Sequence, residues 1–312
     1  MSAVLQFTSL EGATLPNRPL HLAIGMFDGV HLGHQSVIDS AVHSARRSGG
    51  LAGVLTFWPH PSALFRPEHP TPLLMPMEMK RRVLAELGID FVIEQNFSRE
   101  FAAIEARSFV GFLRQHLPGL SAVYVGENFR FGKGRAGDVS TLIEEAKTLG
   151  VAVYNAERLN HNGAPISSSR IRELLTAGNI VEANALLGYS YFVEGIVERG
   201  RQLGRTIGFP TLNIAWTPEL KPRFGVYAVK VLDSAGKAFN GVANFGVRPT
   251  VESSGKPLLE VHLLDETSLA YGDKVRINWL HFLRAESKFG TLDELKRQIV
   301  LDTEKAREIL TK

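Results

Sequence analysis

Cysteine is missing from the 312-residue sequence, and long apolar runs are missing with it. Without cysteine the chain has no disulfides, no thiolate catalysis, and no zinc or iron–sulfur centre with cysteine ligands. No stretch approaches the ~18 apolar residues of a membrane-spanning helix, and no basic segment followed by an apolar one opens the chain. The sequence therefore predicts a cytoplasmic protein with no membrane partner.

An excess of charge is also missing. The chain has 35 lysines and arginines against 32 aspartates and glutamates, a net charge of +3. Dedicated nucleic-acid binders concentrate more positive charge, so we expect small-molecule partners and no nucleic acid. Hydrophobic residues make up 44% of the chain, which indicates a folded protein. Its length suits two domains, although one α/β barrel of this size is equally ordinary. The oligomeric state stays open.

Short apolar runs alternate with amphipathic stretches from residue 20 to about residue 187. Continuous apolar runs are typical of buried parallel strands. They lie at 20–25, 51–57, 91–95, 122–126 and 151–156. Helical periodicity occurs at about 34–48, 76–87, 105–117, 138–149, 169–177 and 179–187. This α/β alternation predicts one open, doubly wound sheet.

The pattern changes after Gly188. Strand-like runs now follow one another at 191–200, 225–233, 241–247, 258–265 and 274–284. Turns rich in glycine, proline and aspartate separate them, which predicts a mainly antiparallel sandwich or small barrel. Thr291 and Glu294 have capping-box spacing and predict a final helix from about 291 to 310. We therefore expect domains at 1–187 and 188–312.

The segment GMFDGVHLGH, residues 25–34, follows the first predicted strand, at the edge of an α/β sheet where ligands bind. Its glycines allow close backbone approach, and the amides of a helix start can hold a phosphate. His31 and His34 face the same side of a helical turn, where they can donate hydrogen bonds or charge to a phosphoryl group in transfer. Metal binding, or plain capping and packing, is the alternative for the histidines.

Two more segments have residues suited to a phosphorylated ring. Residues 125–137 combine amides, aromatics and cations after the fourth predicted strand, although a basic surface loop would have the same composition. Residues 166–172 place three serines and Arg170 at a helix start. One serine serves as an ordinary N-cap, but three followed by an arginine fit polyphosphate.

The second half contains a glycine-rich segment and an acid within an apolar strand. Residues 200–213 are too rich in glycine for a strand and predict a loop that wraps phosphates, with Thr211 and Asn213 offering hard oxygens to Mg²⁺. A long hairpin is the alternative, because the P-loop pattern is absent. Glu260 lies on a mixed strand face, either as a general base for a substrate hydroxyl or facing solvent.

Taken in order, these motifs resemble the prokaryotic bifunctional riboflavin kinase/FMN adenylyltransferase (FAD synthetase) family. The resemblance runs from about residue 20 to the last helix and includes GVYAV at 225–229 and FLRAESKF at 282–289. It implies a Rossmann-like nucleotidyltransferase domain and a six-stranded antiparallel barrel of riboflavin kinase type with a terminal helix. It also implies ATP, riboflavin, FMN and FAD as substrates or products, and Mg²⁺ as cofactor.

The same resemblance implies roles for individual residues. The catalytic residues are then His31, His34, Arg170 and Glu260. In the adenylyltransferase domain ATP binds to Gly25, Phe27, Asp28, Gly33, Ser167 and Ser169, and the flavin binds to Asn128, Phe129 and Arg130. In the kinase domain ATP binds to Gly204, Gly208, Thr211 and Asn213, the metal to Thr211 and Asn213, and the flavin to Arg284 and Glu286.

The chain departs from the family pattern at three of its motif positions. Ser169 replaces the usual threonine and keeps the hydroxyl, Leu212 replaces an alanine between two polar positions, and Asn128 stands where aspartate is frequent. Two other functions stay open. One is an enzyme with a single working site whose other domain binds or stores flavin, and the other is a nucleic-acid-binding protein, suggested only by the slightly basic charge.

Overall fold

A computed structural model describes residues 4–200, 204, 207–247 and 257–311. The chain forms two compact units, Met1–Ser167 and Ser168–Lys312. The two helices predicted between 169 and 187 are therefore grouped with the second unit, whereas the sequence analysis places them in the first domain.

Six parallel strands form the sheet of the first unit. They are β1 (Leu5–Phe7), β2 (Leu20–Ile24), β3 (Leu51–Trp58), β4 (Phe91–Asn96), β5 (Leu120–Gly126) and β6 (Ala152–Ala156). Their order is β1-β4-β3-β2-β5-β6. Every side chain of β2 is buried, and four of its five residues are apolar, as is typical of a buried parallel strand. The fifth, His21, is hydrogen-bonded to Tyr124 and Ser48. The predicted doubly wound sheet is confirmed.

The helices of the first unit cover this sheet. They are α1 (Leu32–Ser48), α2 (Pro61–Phe65), α3 (Met77–Glu86), α4 (Arg99–Ala102), α5 (Phe109–His116) and α6 (Val139–Thr148), with a small hairpin of β7 (Asn160–His161) and β8 (Ala164–Pro165). Helix α1 begins after His31 and ends at Gly49, whose φ of 66° suits glycine. Its apolar face packs into the core through Val37, Ile38 and Ala41.

The strand order reverses direction at β2. From β2 the chain builds β3 and β4 on one side, then crosses to β5 on the other. In open α/β sheets a ligand crevice forms at such a switch point, outside the carboxyl ends of the strands. Gly25 follows β2 and Gly126 ends β5, so the topology brings the segments 25–34 and 125–137 to the same edge.

The second unit is a closed barrel with helices at both ends of its sequence. Its elements are α7 (Ser168–Ala177), α8 (Ile180–Leu187), β9 (Phe192–Glu198), β10 (Leu212–Ala215), β11 (Gly225–Leu232), β12 (Ala238–Val247), β13 (Pro257–Leu263), β14 (Lys274–Arg284) and α9 (Leu292–Leu310). The strands close in the order β10-β13-β12-β11-β14-β9, with antiparallel pairing. The predicted six-stranded barrel is confirmed.

Strand β10 corrects the interpretation of residues 200–213 as free of strand. Leu212 and Asn213 are its first two residues and pair with β13 and β9. The glycines precede Leu212 in the chain, so they lie outside the hydrogen-bonded pairs that β10 makes with its neighbours.

The predicted terminal helix is present as α9. Thr291 caps it by accepting a hydrogen bond from the Glu294 amide at 3.2 Å, as the capping-box spacing predicts. Ala306 of α9 packs with apolar residues of the barrel, among them Ala228, Val242 and Leu283. The helix therefore covers part of the outer face of β11, β12 and β14.

Candidate active sites

The loop after β2 has an uncommon backbone conformation. Phe27 and Val30 have φ angles of 47° and 38°, a region that L-residues other than glycine seldom adopt, and Gly29 has φ 79°. Such conformations persist only where their surroundings fix them. Asp28 helps to fix the loop, because its buried carboxylate accepts the Leu74 amide, at 3.0 Å to Oδ1 and 3.2 Å to Oδ2. Its predicted contact with ATP stays a prediction.

The two histidines of the first motif come together at the start of α1. Their rings stack with 3.6 Å between centroids and 17° between planes. The Nδ1 of His31 accepts the backbone amide of His34 at 3.3 Å, and the Phe27 ring meets His34 edge-on at 5.3 Å. A Cβ at Gly33 would lie 3.3 Å from the His31 ring, so a glycine there lets the rings approach the backbone.

His34 is an electrically neutral member of this pair. Withdrawal from water, His31 and Lys80 together hold the pKa of His34 well below its ordinary value of 6.5. The side chain therefore offers a hydrogen bond rather than a charge at neutral pH. Among the described residues its buried Nδ1 has no hydrogen-bond partner. An unsatisfied buried polar atom costs ~1–3 kcal/mol, and a polar ligand would remove that cost.

The metal-binding alternative for the histidines lacks further ligands in the described ranges. No group of three or more histidine, cysteine, aspartate or glutamate side chains there is arranged to hold a metal ion. The pair is therefore best considered with the cavity beside it.

A small cavity of about 200 Å³ lies against the histidine pair. Its wall combines the end of β2, the start of α1, the residues after β5 and the residues after β6. The lining residues are Ile24, Gly25, Phe27, His31, Gly33, His34, Val37, Gly126, Glu127, Asn128, Phe129, Ala156, Glu157, Arg158, Leu159 and Ile166. Ser167 directly follows the last of them. Three of the six residues predicted for ATP, Gly25, Phe27 and Gly33, therefore line this cavity.

A second, larger cavity of about 600 Å³ shares Gly25, Asn128 and Phe129 with the small one. Phenylalanines dominate its wall: Phe57, Phe65, Phe97, Phe101, Phe109, Phe129 and Phe131. Three arginines also line it, of which Arg130 is paired with Asp138 at 3.3 Å. Sequence reasoning found the part of this wall that comes from Gly25 and from residues 125–137. The other aromatics come from separate elements and have no common motif.

Ser169 and Arg170 belong to α7 and therefore to the second unit. Arg170 donates to Glu182 of α8 at 2.6 Å, a close ion pair within that unit. Their predicted action on the triphosphate stays a prediction.

In the barrel, the strand register aligns residues from two separate motifs. Glu260 of β13 lies directly opposite Asn213 of β10 on one side and Asn244 of β12 on the other. Opposed residues of neighbouring strands project to the same face. Leu259 and Val261 are buried on the inner face, so the two asparagines flank Glu260 on the outer face. Asn244 is a candidate that sequence reasoning missed, because cross-strand neighbours are invisible without the register.

The amide of Asn213 is the clearest candidate ligand in this group. Asn213 is buried, and its Oδ1 has no hydrogen-bond partner within the described part of the chain. Gly200 lies so close that a Cβ there would overlap the Asn213 amide. A buried amide oxygen with a free lone pair suits a hard cation such as Mg²⁺.

The glycine-rich segment folds back on itself before β10. The amide of Phe209 donates to the Gly204 carbonyl at 2.8 Å, and a Cβ at Gly204 would overlap the Phe209 carbonyl. The same Cβ would lie 3.5 Å from Oγ1 of Thr211, and Gly208 has φ 92°. The predicted residues Gly204, Gly208 and Thr211 are therefore neighbours, while the rest of the predicted loop, at 201–203 and 205–206, lies outside the described residues.

Arg284, predicted to bind flavin, forms an ion pair with α9. Its guanidinium donates to both carboxylate oxygens of Asp302 at 2.8–3.0 Å, and Gln298 donates to the same carboxylate. Glu286 is exposed and its carboxylate lies over Gly246, where a Cβ would overlap it. The flavin contacts of Arg284 and Glu286 stay predictions.

Comparison with known proteins gives matches in both units. The family model described as FAD synthetase matches residues 14–170, and the one described as riboflavin kinase matches residues 187–310. Bifunctional riboflavin kinase/FMN adenylyltransferase from Escherichia coli (strain K12) is 39% identical over 294 residues, which covers 94% of this chain and 93% of that protein. The enzyme of the same description from Bacillus subtilis (strain 168) is 38% identical over 291 residues, covering 91% and 90%.

A solved structure is similar along the whole chain as well. A crystal structure described as a macrolide-efflux protein from Streptococcus pneumoniae has a TM-score of 0.88 and 27% identity, and the match covers 97% of this chain and 98% of that one. In the residues described here, the helices are too short or too polar to cross a membrane.

Proposed function

The chain belongs to the family of bifunctional riboflavin kinase/FMN adenylyltransferases, and on that premise we propose how its residues divide the work. It is an enzyme of flavin cofactor synthesis with both activities of the family. We assign FMN adenylyltransfer to residues 1–187 and riboflavin phosphorylation to residues 188–312. The observation that carries the first assignment is the histidine pair, which lies beside a small cavity that adjoins a large aromatic one.

In the adenylyltransferase, the aromatic cavity holds the isoalloxazine ring, since seven phenylalanines offer stacking and edge contacts to a flat ring. ATP occupies the small cavity with its phosphates at the start of α1. The shared wall at Gly25, Asn128 and Phe129 is where the FMN phosphate would meet the α-phosphorus.

Adenylyl transfer forms one bond and breaks one. An oxygen of the FMN phosphate attacks the α-phosphorus of ATP, and pyrophosphate leaves. The attacking phosphate is already ionised near neutral pH, so no general base is needed. His31 and His34 donate hydrogen bonds to the phosphate oxygens as charge shifts to them, and Ser167, Ser169 and Arg170 bind the triphosphate.

In the kinase, Glu260 accepts the proton of the ribityl 5′-hydroxyl as that oxygen bonds to the γ-phosphorus of ATP. The bond between the γ-phosphorus and the β-phosphate oxygen breaks, and ADP leaves. Thr211 and Asn213 would hold Mg²⁺, a role supported by the buried Oδ1 of Asn213 that lacks a partner in the described chain. When bound, the ion neutralises charge on the ATP phosphates. Gly204 and Gly208 would let the loop cover the nucleotide, and Arg284 and Glu286 would contact riboflavin.

Both proposed reactions consume ATP, which is made and kept in the cytoplasm, so we place the enzyme there. Cell fractionation with an antibody to the chain tests this location directly. Activity confined to a membrane or an exported fraction would contradict it.

The test of the function is incubation of the pure protein with riboflavin, ATP and Mg²⁺, followed by chromatographic separation of the flavins. FMN should appear first and FAD second, with one pyrophosphate released per FAD. Removal of Mg²⁺ with a chelator should stop FMN formation. FMN that accumulates without FAD would refute the adenylyltransferase assignment, and absence of both products would refute the whole proposal.

A further inference from the structure

Lys80, in α3, is a buried cation that belongs to none of the sequence motifs described above. Its side chain is 2% exposed. The ammonium donates to the carbonyl oxygen of Met26 at 2.8 Å and to Oγ1 of Thr56 at 3.3 Å. Thr56, on β3, donates to the same carbonyl at 3.0 Å. Two donors from separate elements therefore converge on one oxygen of the loop that follows β2.

The position of this carbonyl matters because its neighbours form the site. Gly25, one residue before, lines both cavities, and Phe27, one residue after, contacts His34 in spite of its positive φ. Lys80 itself lines neither cavity. It holds the loop through the Met26 carbonyl, and its charge also helps to keep the pKa of His34 low.

A charge at this position is costly. Lysine is almost never fully buried in proteins unless it is paired. Withdrawal from water lowers the pKa of Lys80 from 10.5 to about 8, against the opposing effect of Asp28 and Glu94. A second donor, Thr56, already bonds the same carbonyl. Packing alone would be served by an apolar residue, so the ammonium must contribute something that an apolar residue cannot.

We propose that Lys80 is a positioning residue for adenylyl transfer, whose ammonium fixes the Met26 carbonyl and so keeps Gly25 and the histidine pair in place between the two cavities. The proposal rests on the adenylyltransferase function assigned above. Asp28 fixes the loop a second time by accepting the Leu74 amide, and the charges of Lys80 and Asp28 attract each other.

The titratable groups around Lys80 come from four elements. Asp28 belongs to the loop, Glu94 to β4 and His34 to α1, while Arg81 follows Lys80 on α3 and forms an ion pair with Glu94. His34 is neutral well above its lowered pKa, so its titration is separated from that of Lys80. Loss of the Lys80 proton should then weaken the hold on the loop as the pH rises through about 8.

The first experiment replaces the ammonium and keeps the stem. Lys80→Met should lower kcat for FAD formation from FMN by roughly 10²-fold, the scale for misplacing a reacting group by about 1 Å. KM for FMN should change little, because Lys80 lines neither cavity. FMN formation from riboflavin, which uses the other unit, should be unchanged. Arg81→Met is the matched control: it breaks an ion pair on the same helix without touching the loop, and should keep wild-type kcat for FAD formation.

The second experiment restores the ammonium chemically. Because the chain has no cysteine, Lys80→Cys creates its only thiol. Alkylation of the unfolded variant with 2-bromoethylamine gives thialysine at position 80, and wild-type protein is unfolded and refolded in parallel. Thialysine should restore most of the lost kcat. Its sulfur lowers the ammonium pKa, so the alkaline fall of kcat/KM for FAD formation should move to lower pH than in wild type.

The outcomes separate the possibilities. Wild-type kcat in Lys80→Met would overturn the proposal. If Lys80→Met fails to melt cooperatively, the thialysine protein provides the test. An alkaline fall of kcat/KM for FAD formation at the same pH as in wild type would then overturn the proposal. A fall in kcat for Arg81→Met as large as for Lys80→Met would also overturn it, because the effect would then belong to α3 as a whole. Wild-type protein that makes FMN but no FAD would instead refute the proposed function.

Discussion

The two units bring their candidate residues together by different routes. In the first unit they lie in segments that follow parallel strands, and the switch of strand order at β2 gathers these segments at one edge of the sheet. In the barrel, Glu260 lies inside a strand, and antiparallel pairing aligns it with Asn213 and Asn244. A parallel sheet therefore collects loops, whereas an antiparallel barrel aligns positions within neighbouring strands.

The environments differ accordingly. The histidine pair adjoins a small cavity, and withdrawal from water holds the pKa of His34 low. Glu260 is half-buried on the outer face of the barrel, beside the buried amide of Asn213. We therefore expect His34 to act as a neutral hydrogen-bond donor in the first site, and Glu260 to act as a base in the second.

The largest effect is expected at Glu260. Glu260→Gln preserves shape and hydrogen bonding but cannot accept a proton, so riboflavin phosphorylation should fall by roughly 10²–10⁴-fold. FMN supplied directly should still become FAD. A defect confined to KM for riboflavin would make Glu260 a binding residue, and full kinase activity would return it to a solvent-facing role.

The histidine pair should give the next largest effect. His31→Ala and His34→Ala should each slow FAD formation by at least ~100-fold, the scale for loss of a donor that stabilises developing charge. FMN formation should persist. His43→Ala, an exposed histidine on the same helix α1, is the control and should leave both rates unchanged. Wild-type adenylyl transfer in either site variant would remove that histidine from the mechanism.

The ion pair between Arg284 and Asp302 should contribute more to the free energy of unfolding than an exposed ion pair does. Arg284→Met leaves the buried carboxylate of Asp302 without its cation and should lower the free energy of unfolding of the barrel by about 3 kcal/mol, the lower end for such pairs because Gln298 still donates. Arg107 forms a surface ion pair with Glu145, and its side chain is 75% exposed. Arg107→Met should therefore lower the free energy of unfolding by at most ~1 kcal/mol. Urea titrations of both variants measure this. Unchanged stability of Arg284→Met with a raised KM for riboflavin would favour direct flavin binding.

The smallest effect concerns pH and the stability of the first unit. The pKa of His34 is lowered in the folded state, so the unfolded chain binds the extra proton as the pH falls below 6.5. Stability is therefore lost toward acid, by up to about 1.4 kcal/mol per pH unit for this one group. In His34→Gln the slope between pH 6.5 and 5.5 should be shallower than in wild type. Equal slopes would mean that His34 is protonated in the folded protein.

The sequence could predict features that depend on local order along the chain. The motif at 25–34 has its glycines and histidines close together in the sequence. The sheet topology then places this segment at the crevice beside β2 and β5. The barrel was predictable from its run of short strands. Strand β1, with three residues and one half-buried side chain, has no periodic signal, and β10 was hidden by the glycines before it.

Features that depend on tertiary neighbours could not be predicted in the same way. The phenylalanines of the large cavity come from separate strands, helices and loops, and no single one of them indicates a binding site. In the sequence Lys80 resembles any polar residue of an amphipathic helix. Only the folded structure shows that its ammonium donates to the Met26 carbonyl. The ion pair of Arg284 joins a strand to a helix residue 18 positions later, which no motif shows.

The most direct test of two separate sites mixes two damaged proteins. His34→Ala should convert riboflavin only to FMN, and Glu260→Gln should convert only added FMN to FAD. With riboflavin, ATP and Mg²⁺, neither variant alone should make FAD at an appreciable rate, whereas their mixture should make it after a lag in which free FMN rises. A mixture that makes no more FAD than either variant alone, although each retains its remaining reaction, would contradict the account of two complete and independent sites.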